Sequence, residues 1–86
     1  MSESSEASVV LPAALHARPA GALVRATAPF DATIVIGYGD KSANARGVLG
    51  VLALGAPAGS TVVVRAEGPD ALAAVKAAVE VLAIAE

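Results

Sequence analysis

The distribution of apolar residues along the chain first indicates where β-strands lie. Short runs rich in valine, isoleucine and threonine, bounded by glycine, proline or charged residues, are typical of strands. Three such runs occur, at residues 8–11, 32–36 and 61–66, of which the last, with the sequence TVVVRA, is the clearest. Residues 41–45 follow turn residues and are interpreted as a short return strand. The pattern therefore predicts four strands.

Two other segments have apolar residues at the i, i+3, i+4 spacing of a helix with one buried face. The first begins at Pro19 and continues to about Ala28. The second follows residues 68–70, and its apolar positions are Ala71, Leu72, Val75, Ala78, Val79 and Leu82. A third segment, residues 46–54, is ambiguous by pattern. Its two valines favour a strand, whereas the spacing of its apolar residues fits a short helix between Gly47 and Gly55.

With the ambiguous segment interpreted as a helix, the order of elements is βαββαβα. Four strands and three helices in this order predict an α+β fold, with a mainly antiparallel sheet and all helices on one face. The other face of the sheet would be open to solvent. The length of 86 residues predicts a single domain, residues 1–86, in which residues 1–7 form a frayed leader.

Composition excludes several classes of function. The chain has no cysteine and one histidine, so we expect neither a disulfide nor a metal site. A formal net charge of −2 and only two aromatic residues, Phe30 and Tyr38, argue against nucleic acid as a partner. No apolar run approaches the ~20 residues that cross a bilayer. The acidic start does not resemble a signal peptide, and we expect the protein in the cytoplasm, without membrane insertion.

The chemistry that the sequence suggests centres on His16. Because proline is tolerated in the first turn of a helix, Pro19 places His16 at or just before a helix N-terminus. The first amides of that helix, those of Ala17 and Arg18, have no intrahelical acceptor and form an anion site with the positive end of the helix dipole. Histidine is nucleophilic and largely neutral near pH 7. With the Arg18 guanidinium nearby, this arrangement is suited to accepting a phosphoryl group. Taken alone, however, His16 is better explained as a surface residue at a helix start.

Two sequence blocks change that balance. Residues 15–24 (LHARPAGALV) resemble the active-site signature of the HPr family, the histidine phosphocarriers of the bacterial phosphoenolpyruvate:sugar phosphotransferase system. Residues 47–55 (GVLGVLALG) resemble the second conserved segment of that family, and the similarity extends from about residue 9 to residue 82. The resemblance implies an open-faced β-sandwich, with a helix at the ambiguous segment.

The resemblance also implies a function. HPr-like proteins accept a phosphoryl group from enzyme I on the histidine Nδ1, here that of His16, and pass it to enzyme IIA proteins. The protein would be a carrier rather than an enzyme, without a cofactor, and is expected to be a monomer. Arg18 and the amides of Ala17 and Arg18 would hold the phosphate. The implied partner-docking residues are Ala17, Gly21, Ala22, Arg25, Val48, Leu49 and Leu52.

The chain departs from the family pattern at four positions, of which Arg46, where a Lys is usual, keeps the positive charge. Many relatives have Asn or Thr where Ala13 stands, and Gly where Ala14 stands. Gram-positive relatives have a regulatory serine where this chain has Gly47, so that control cannot operate at this position. Two alternatives to a general sugar phosphocarrier stay open. One is a specialised carrier that serves a nitrogen-linked system or a dihydroxyacetone kinase, and the other is a regulatory binding module switched by phosphorylation of His16.

Overall fold

The computed structural model describes residues 3–86 and confirms the predicted order of elements. All strands belong to one antiparallel sheet in the order β1-β4-β2-β3, so β1 and β3 form its edges. None of the helices in residues 3–86 is long and apolar enough to span a membrane. The elements are β1 (Ser4–Val10), α1 (Ala17–Thr27), β2 (Thr33–Tyr38), β3 (Lys41–Asn44), α2 (Val48–Ala53), β4 (Thr61–Glu67) and α3 (Ala71–Ala83).

The sheet buries one face under the helices and leaves the other open. Alternate side chains of a strand point to opposite faces, so the two central strands each bury every second residue. In β4 these are Val62, Val64 and Ala66, and in β2 they are Ile34 and Ile36. Helix α3 packs on β1, β4 and β2, whereas α1 packs on α3 and α2. The confirmed architecture is an open-faced α+β sandwich with three helices on one side.

The first strand is longer than the sequence pattern indicates. It begins at Ser4 rather than residue 8, and it pairs with β4 from Ser4 opposite Glu67 to Val10 opposite Thr61. The prediction of a frayed leader at residues 1–7 is therefore wrong for Ser4–Ala7, while Met1 and Ser2 lie outside the described residues. Serine, glutamate and alanine carry little strand signal by themselves. Pairing with the hydrogen-bonding edge of β4 determines their conformation.

The ambiguous segment forms a short helix, α2, over Val48–Ala53. Its burial explains why the helical period applies: Val51 is fully buried, Leu52 is half-buried against the core, and Leu49 is 79% exposed. A strand would bury every second residue, whereas here the neighbours Val51 and Leu52 both face the core. Gly47 is the residue before the helix, and Val51 donates the first backbone hydrogen bond of the helix to the Gly47 carbonyl at 3.0 Å.

The connection between α1 and β2 is held by two side chains from distant parts of the chain. The carboxylate of Asp70, just before α3, accepts hydrogen bonds from the amides of Asp31 at 2.9 Å and Ala32 at 2.8 Å. The guanidinium of Arg46, just before α2, donates to the carbonyls of Ala28, Phe30 and Ala32. This loop therefore fixes the start of α2 and the start of α3 relative to the end of α1.

The Asp70 carboxylate titrates differently from an ordinary aspartate because of these contacts. The amide of Asp31 is the main cause that holds the pKa of Asp70 below its usual 3.8, and the amide of Ala32 and the charge of Arg46 act in the same direction. The sequence correctly places Asp70 at the start of a helix. Its side chain, however, makes no hydrogen bond within α3, and its partners lie in the loop.

Candidate functional site

The segment between β1 and α1 brings His16 to the surface on a fixed backbone. The Leu11 amide donates to the carbonyl of Ser60, and the amide of Gly59 donates to the carbonyl of Leu11 at 2.7 Å. Further along, the Leu15 amide donates to the carbonyl of Ala56 at 3.0 Å. The side chains of Leu11 and Leu15 are both buried. Because these two residues are anchored in the core, the residue after Leu15 has little freedom of position.

His16 is the residue that precedes α1, as the sequence predicts. Its backbone is extended, with φ −85° and ψ −169°, and its carbonyl accepts the first helical hydrogen bond, from Ala20 at 3.0 Å. Its imidazole is exposed and makes no capping hydrogen bond to its own helix. The ring is therefore available to react with another molecule, and the buried Leu15 on one side and Pro19 on the other hold its attachment point.

The first turn of α1 offers two backbone donors. Ala20 is the first residue whose amide donates within the helix. The amides of Ala17 and Arg18 come before it and have no helical acceptor, and Pro19 has no N–H. The amide of His16 itself donates to the carbonyl of Ala14 at 2.8 Å. The first turn carries no acidic side chain that would compete for an anion. The helix begins at Ala17, two residues before Pro19, so the proline is still within the first turn, where its lack of an N–H costs nothing.

Two arginines of α1 add positive charge at the surface. Arg18 and Arg25 are both exposed, and the ion pair that residues 3–86 contain joins Arg65 to Glu6 instead. The Arg25 side chain lies back along the helix, since a Cβ built on Gly21 would be 3.4 Å from its Nη1 atom. The structure thus brings Gly21 and Arg25 together on one helix face, as the predicted docking surface requires, and Ala22 beside them is half-buried.

Helix α2 supplies the apolar part of the predicted docking surface. It packs against α1, and the chain that follows it provides the Ala56 carbonyl that anchors Leu15 next to His16. Leu49 is the most exposed large apolar side chain of the described residues, and Val48 is 37% exposed. Leu52 differs from the prediction in degree, because it packs against the core and leaves only part of its surface for a partner.

The remaining predicted positions are Gly47, Ala13 and Ala14. Gly47 is exposed at the start of α2 and has no side chain that could be modified. Ala13 and Ala14 are half-buried in the segment that leads to His16. Sequence reasoning missed the residues of α3 and its C-terminal extension that lie beside Arg18, above all Ile84. An isolated apolar residue after a predicted helix gives no sequence signal of that position.

Comparison with known proteins identifies the family to which the chain belongs. The family model described as "PTS HPr component phosphorylation site" matches residues 3–83. The chain is 40% identical to the phosphocarrier protein HPr of Treponema pallidum over 65 residues, which are 76% of this chain and 74% of that protein. It is 37% identical over 76 residues to the multiphosphoryl transfer protein of Xanthomonas campestris. That match covers 88% of this chain but only 9% of the longer relative.

Solved structures show the same fold. A phosphocarrier protein HPr from Bacillus anthracis superposes with a TM-score of 0.81 at 31% identity, over 94% of this chain and 96% of that chain. The structure of HPr-C-His from Thermoanaerobacter tengcongensis gives a TM-score of 0.80, also at 31% identity, over 93% of this chain and 90% of that one. The structural similarity therefore extends over nearly the whole chain.

Proposed function

We propose, because the chain belongs to the HPr family of phosphocarrier proteins of the phosphotransferase system, that His16 is the residue that carries the phosphoryl group. The observation that supports this most directly is the position of His16. Its ring is exposed, free of any capping hydrogen bond, and attached at the start of a helix whose amides at Ala17 and Arg18 have no helical acceptor.

The proposed step is a displacement at phosphorus. The lone pair of Nδ1 in the neutral imidazole forms the N–P bond while the bond between phosphorus and the donor protein breaks, and that electron pair stays with the donor. The proton on Nε2 remains in place. Phosphorylation adds nearly two negative charges, which the two amides and the Arg18 guanidinium meet with charge-assisted hydrogen bonds. Transfer to an acceptor protein reverses these events.

The proposed partners are enzyme I as donor and enzyme IIA proteins as acceptors. A surface made of Ala17, Gly21, Ala22 and Arg25 on α1, with Val48, Leu49 and the exposed part of Leu52 on α2, would receive them. It combines exposed apolar side chains with the charge of Arg25, which suits transient contacts with several proteins. The similarity to part of a multiphosphoryl transfer protein supports a role in passing phosphoryl groups between proteins. Since Gly47 has no hydroxyl, regulation by phosphorylation at that position is not part of this proposal.

The test is phosphorylation in vitro. Incubation with phosphoenolpyruvate and a general enzyme I should add the mass of one phosphoryl group, in a form that acid removes. The matched control is His16→Ala, which should remain folded because an exposed ring contributes little to stability, with a change within about 0.5 kcal/mol. It should gain no phosphoryl group. An adduct that survives in His16→Ala would contradict the assignment.

The same assay separates the alternative functions. Phosphorylation only by an enzyme I of a nitrogen-linked system or of a dihydroxyacetone kinase would indicate a specialised carrier. If neither a general nor a specialised enzyme I modifies the folded protein, phosphoryl carriage is excluded and a binding module is favoured.

A further inference from the structure

A groove separate from the α2 surface borders Arg18 on the side of α3. It has a volume of about 180 Å³ and lies between the first turns of α1 and the end of α3. Its apolar lining comes from Pro19 and Ala22 on α1 and from Val81, Ile84 and Ala85 at the other wall. Arg18 and Glu86 also line the groove.

The side chain of Ile84 is unusual in its surroundings. It lies just beyond the last residue of α3 and is 76% exposed, although Val81 of the same wall packs against the hydrophobic core. An isolated exposed apolar residue needs no explanation by itself. Here, however, the exposed side chain forms a concave surface with four other apolar residues. The volume exceeds the ~150 Å³ of an apolar cavity that holds a benzene-sized molecule, so one large apolar side chain fits.

The position of the groove indicates what covers it. Arg18 lines the groove and is also close to the proposed phosphoryl site, because it follows His16 by two residues in the first turn of α1. A protein that brings its phosphoryl group to His16 must approach within bonding distance of the ring and therefore covers Arg18. Its surface then continues over the groove. No such continuity exists for Leu72, the exposed large apolar residue within α3, which borders β1 instead.

We propose that this groove is a second docking site for the phosphoryl donor protein and receives one large apolar side chain of that protein. The inference rests on the proposed function, because it assumes that a donor reaches His16. It adds to that function a contact at the end of α3, in addition to the proposed contact with Leu49 on α2.

Methyl NMR tests the contact directly. The chain has three isoleucines, of which Ile34 and Ile36 are fully buried beneath the sheet. With methyl-labelled isoleucine, addition of unphosphorylated enzyme I should shift or broaden the Ile84 signal and leave the other two in place as internal controls. If the amide signals of α1 respond to enzyme I while the Ile84 methyl stays unchanged, the groove is not part of the interface.

Kinetics tests whether the contact matters for transfer. Ile84→Asp should raise the KM of enzyme I for the carrier about tenfold, with kcat and the spontaneous hydrolysis rate of the phosphohistidine unchanged. The milder Ile84→Ala should raise KM less, and unfolding curves check that both variants are folded. The matched control is Leu72→Asp, an equally drastic change of a 55% exposed residue about 18 Å away along α3, which should leave KM as it is.

The outcomes separate this inference from the function on which it rests. A KM for Ile84→Asp within twofold of the parent protein, or equal to that of Leu72→Asp, overturns the groove while His16 phosphorylation stands. A parent protein that no enzyme I phosphorylates overturns both.

Discussion

At the scale of single residues, side chains that bond to backbone groups far along the chain hold the three helices relative to one another. Asp70 accepts from amides 38 and 39 residues away, and Arg46 donates to carbonyls 14, 16 and 18 residues away. Arginine suits the second role because its planar guanidinium directs several donors at once, whereas a lysine would present a single point charge. Together they join the loop after α1 to the starts of α2 and α3.

The pKa of Asp70 gives this loop a pH dependence. The pKa of Asp70 in the folded protein lies below 3.8, so the carboxyl group binds a proton more readily in the unfolded protein. The ionised carboxylate therefore stabilises the fold at pH values above the pKa that Asp70 has in the unfolded chain. We expect that contribution to be lost as the pH falls below about 4 and through the folded-state pKa. Urea denaturation between pH 6 and pH 3 should show the decline in the free energy of unfolding.

The control for this prediction is Asp70→Asn, which keeps one acceptor oxygen but has no charge to titrate. It should be less stable than the parent at pH 6 and should lose less stability between pH 4 and pH 3. An identical decline in both proteins would show that other carboxylates are responsible.

The residues of the site differ in how well the sequence predicts them. His16, Arg18 and Pro19 are neighbours in the chain, so their local order predicts the helix start, which the structure confirms. The partners of Arg46 and Asp70 are not predictable in the same way, because they depend on which loop the fold places beside them. The role of His16 itself stays a prediction until phosphorylation is measured.

At the scale of elements, α2 presents its apolar residues in two directions. Val51 is inside and Leu49 outside, so one short helix both completes the core and exposes an apolar side chain. We expect Leu49→Asp to change the free energy of unfolding by less than about 0.5 kcal/mol, since the side chain is 79% exposed. Transfer from enzyme I should nevertheless show a KM about tenfold higher, because the change places a charge in an apolar interface.

The matched control for Leu49→Asp is Val10→Asp. Val10 is 60% exposed and lies in β1, outside both proposed docking surfaces. It should leave transfer unaffected. If Leu49→Asp and Val10→Asp transfer phosphoryl groups equally well, α2 is not a docking surface and its exposed leucine needs another explanation.

The sequence pattern predicts the ends of a strand well only where the strand buries an apolar residue at every second position. The clear run at residues 61–66 becomes β4 with one additional residue, whereas β1 extends four residues earlier than its pattern predicts. In β1, Val9 is the only buried residue, and serine and glutamate occupy four of the other six positions. For α2, pattern alone left two possibilities, and the resemblance to a known family decided between them correctly.

At the scale of the whole molecule, the proposed site and docking surfaces lie in the layer of helices on one face of the sheet. All three helices lie on one face, and the helix-bearing layer brings His16, the α2 surface and the groove beside Arg18 to the molecular surface. The overall architecture was predictable because seven short elements in this order permit few arrangements of a single sheet. The groove was not predictable, because it forms only when the end of α3 is placed against the start of α1.

We propose that the first amides of α1 hold the phosphoryl group on His16. Comparison of ¹H–¹⁵N spectra of the free and phosphorylated protein is the direct test. We expect large downfield shifts of the Ala17 and Arg18 amide protons, with the Asp31 and Ala32 amides, which already donate to Asp70, unchanged. A phosphorylated His16 ring with the Ala17 and Arg18 amides unmoved would contradict it.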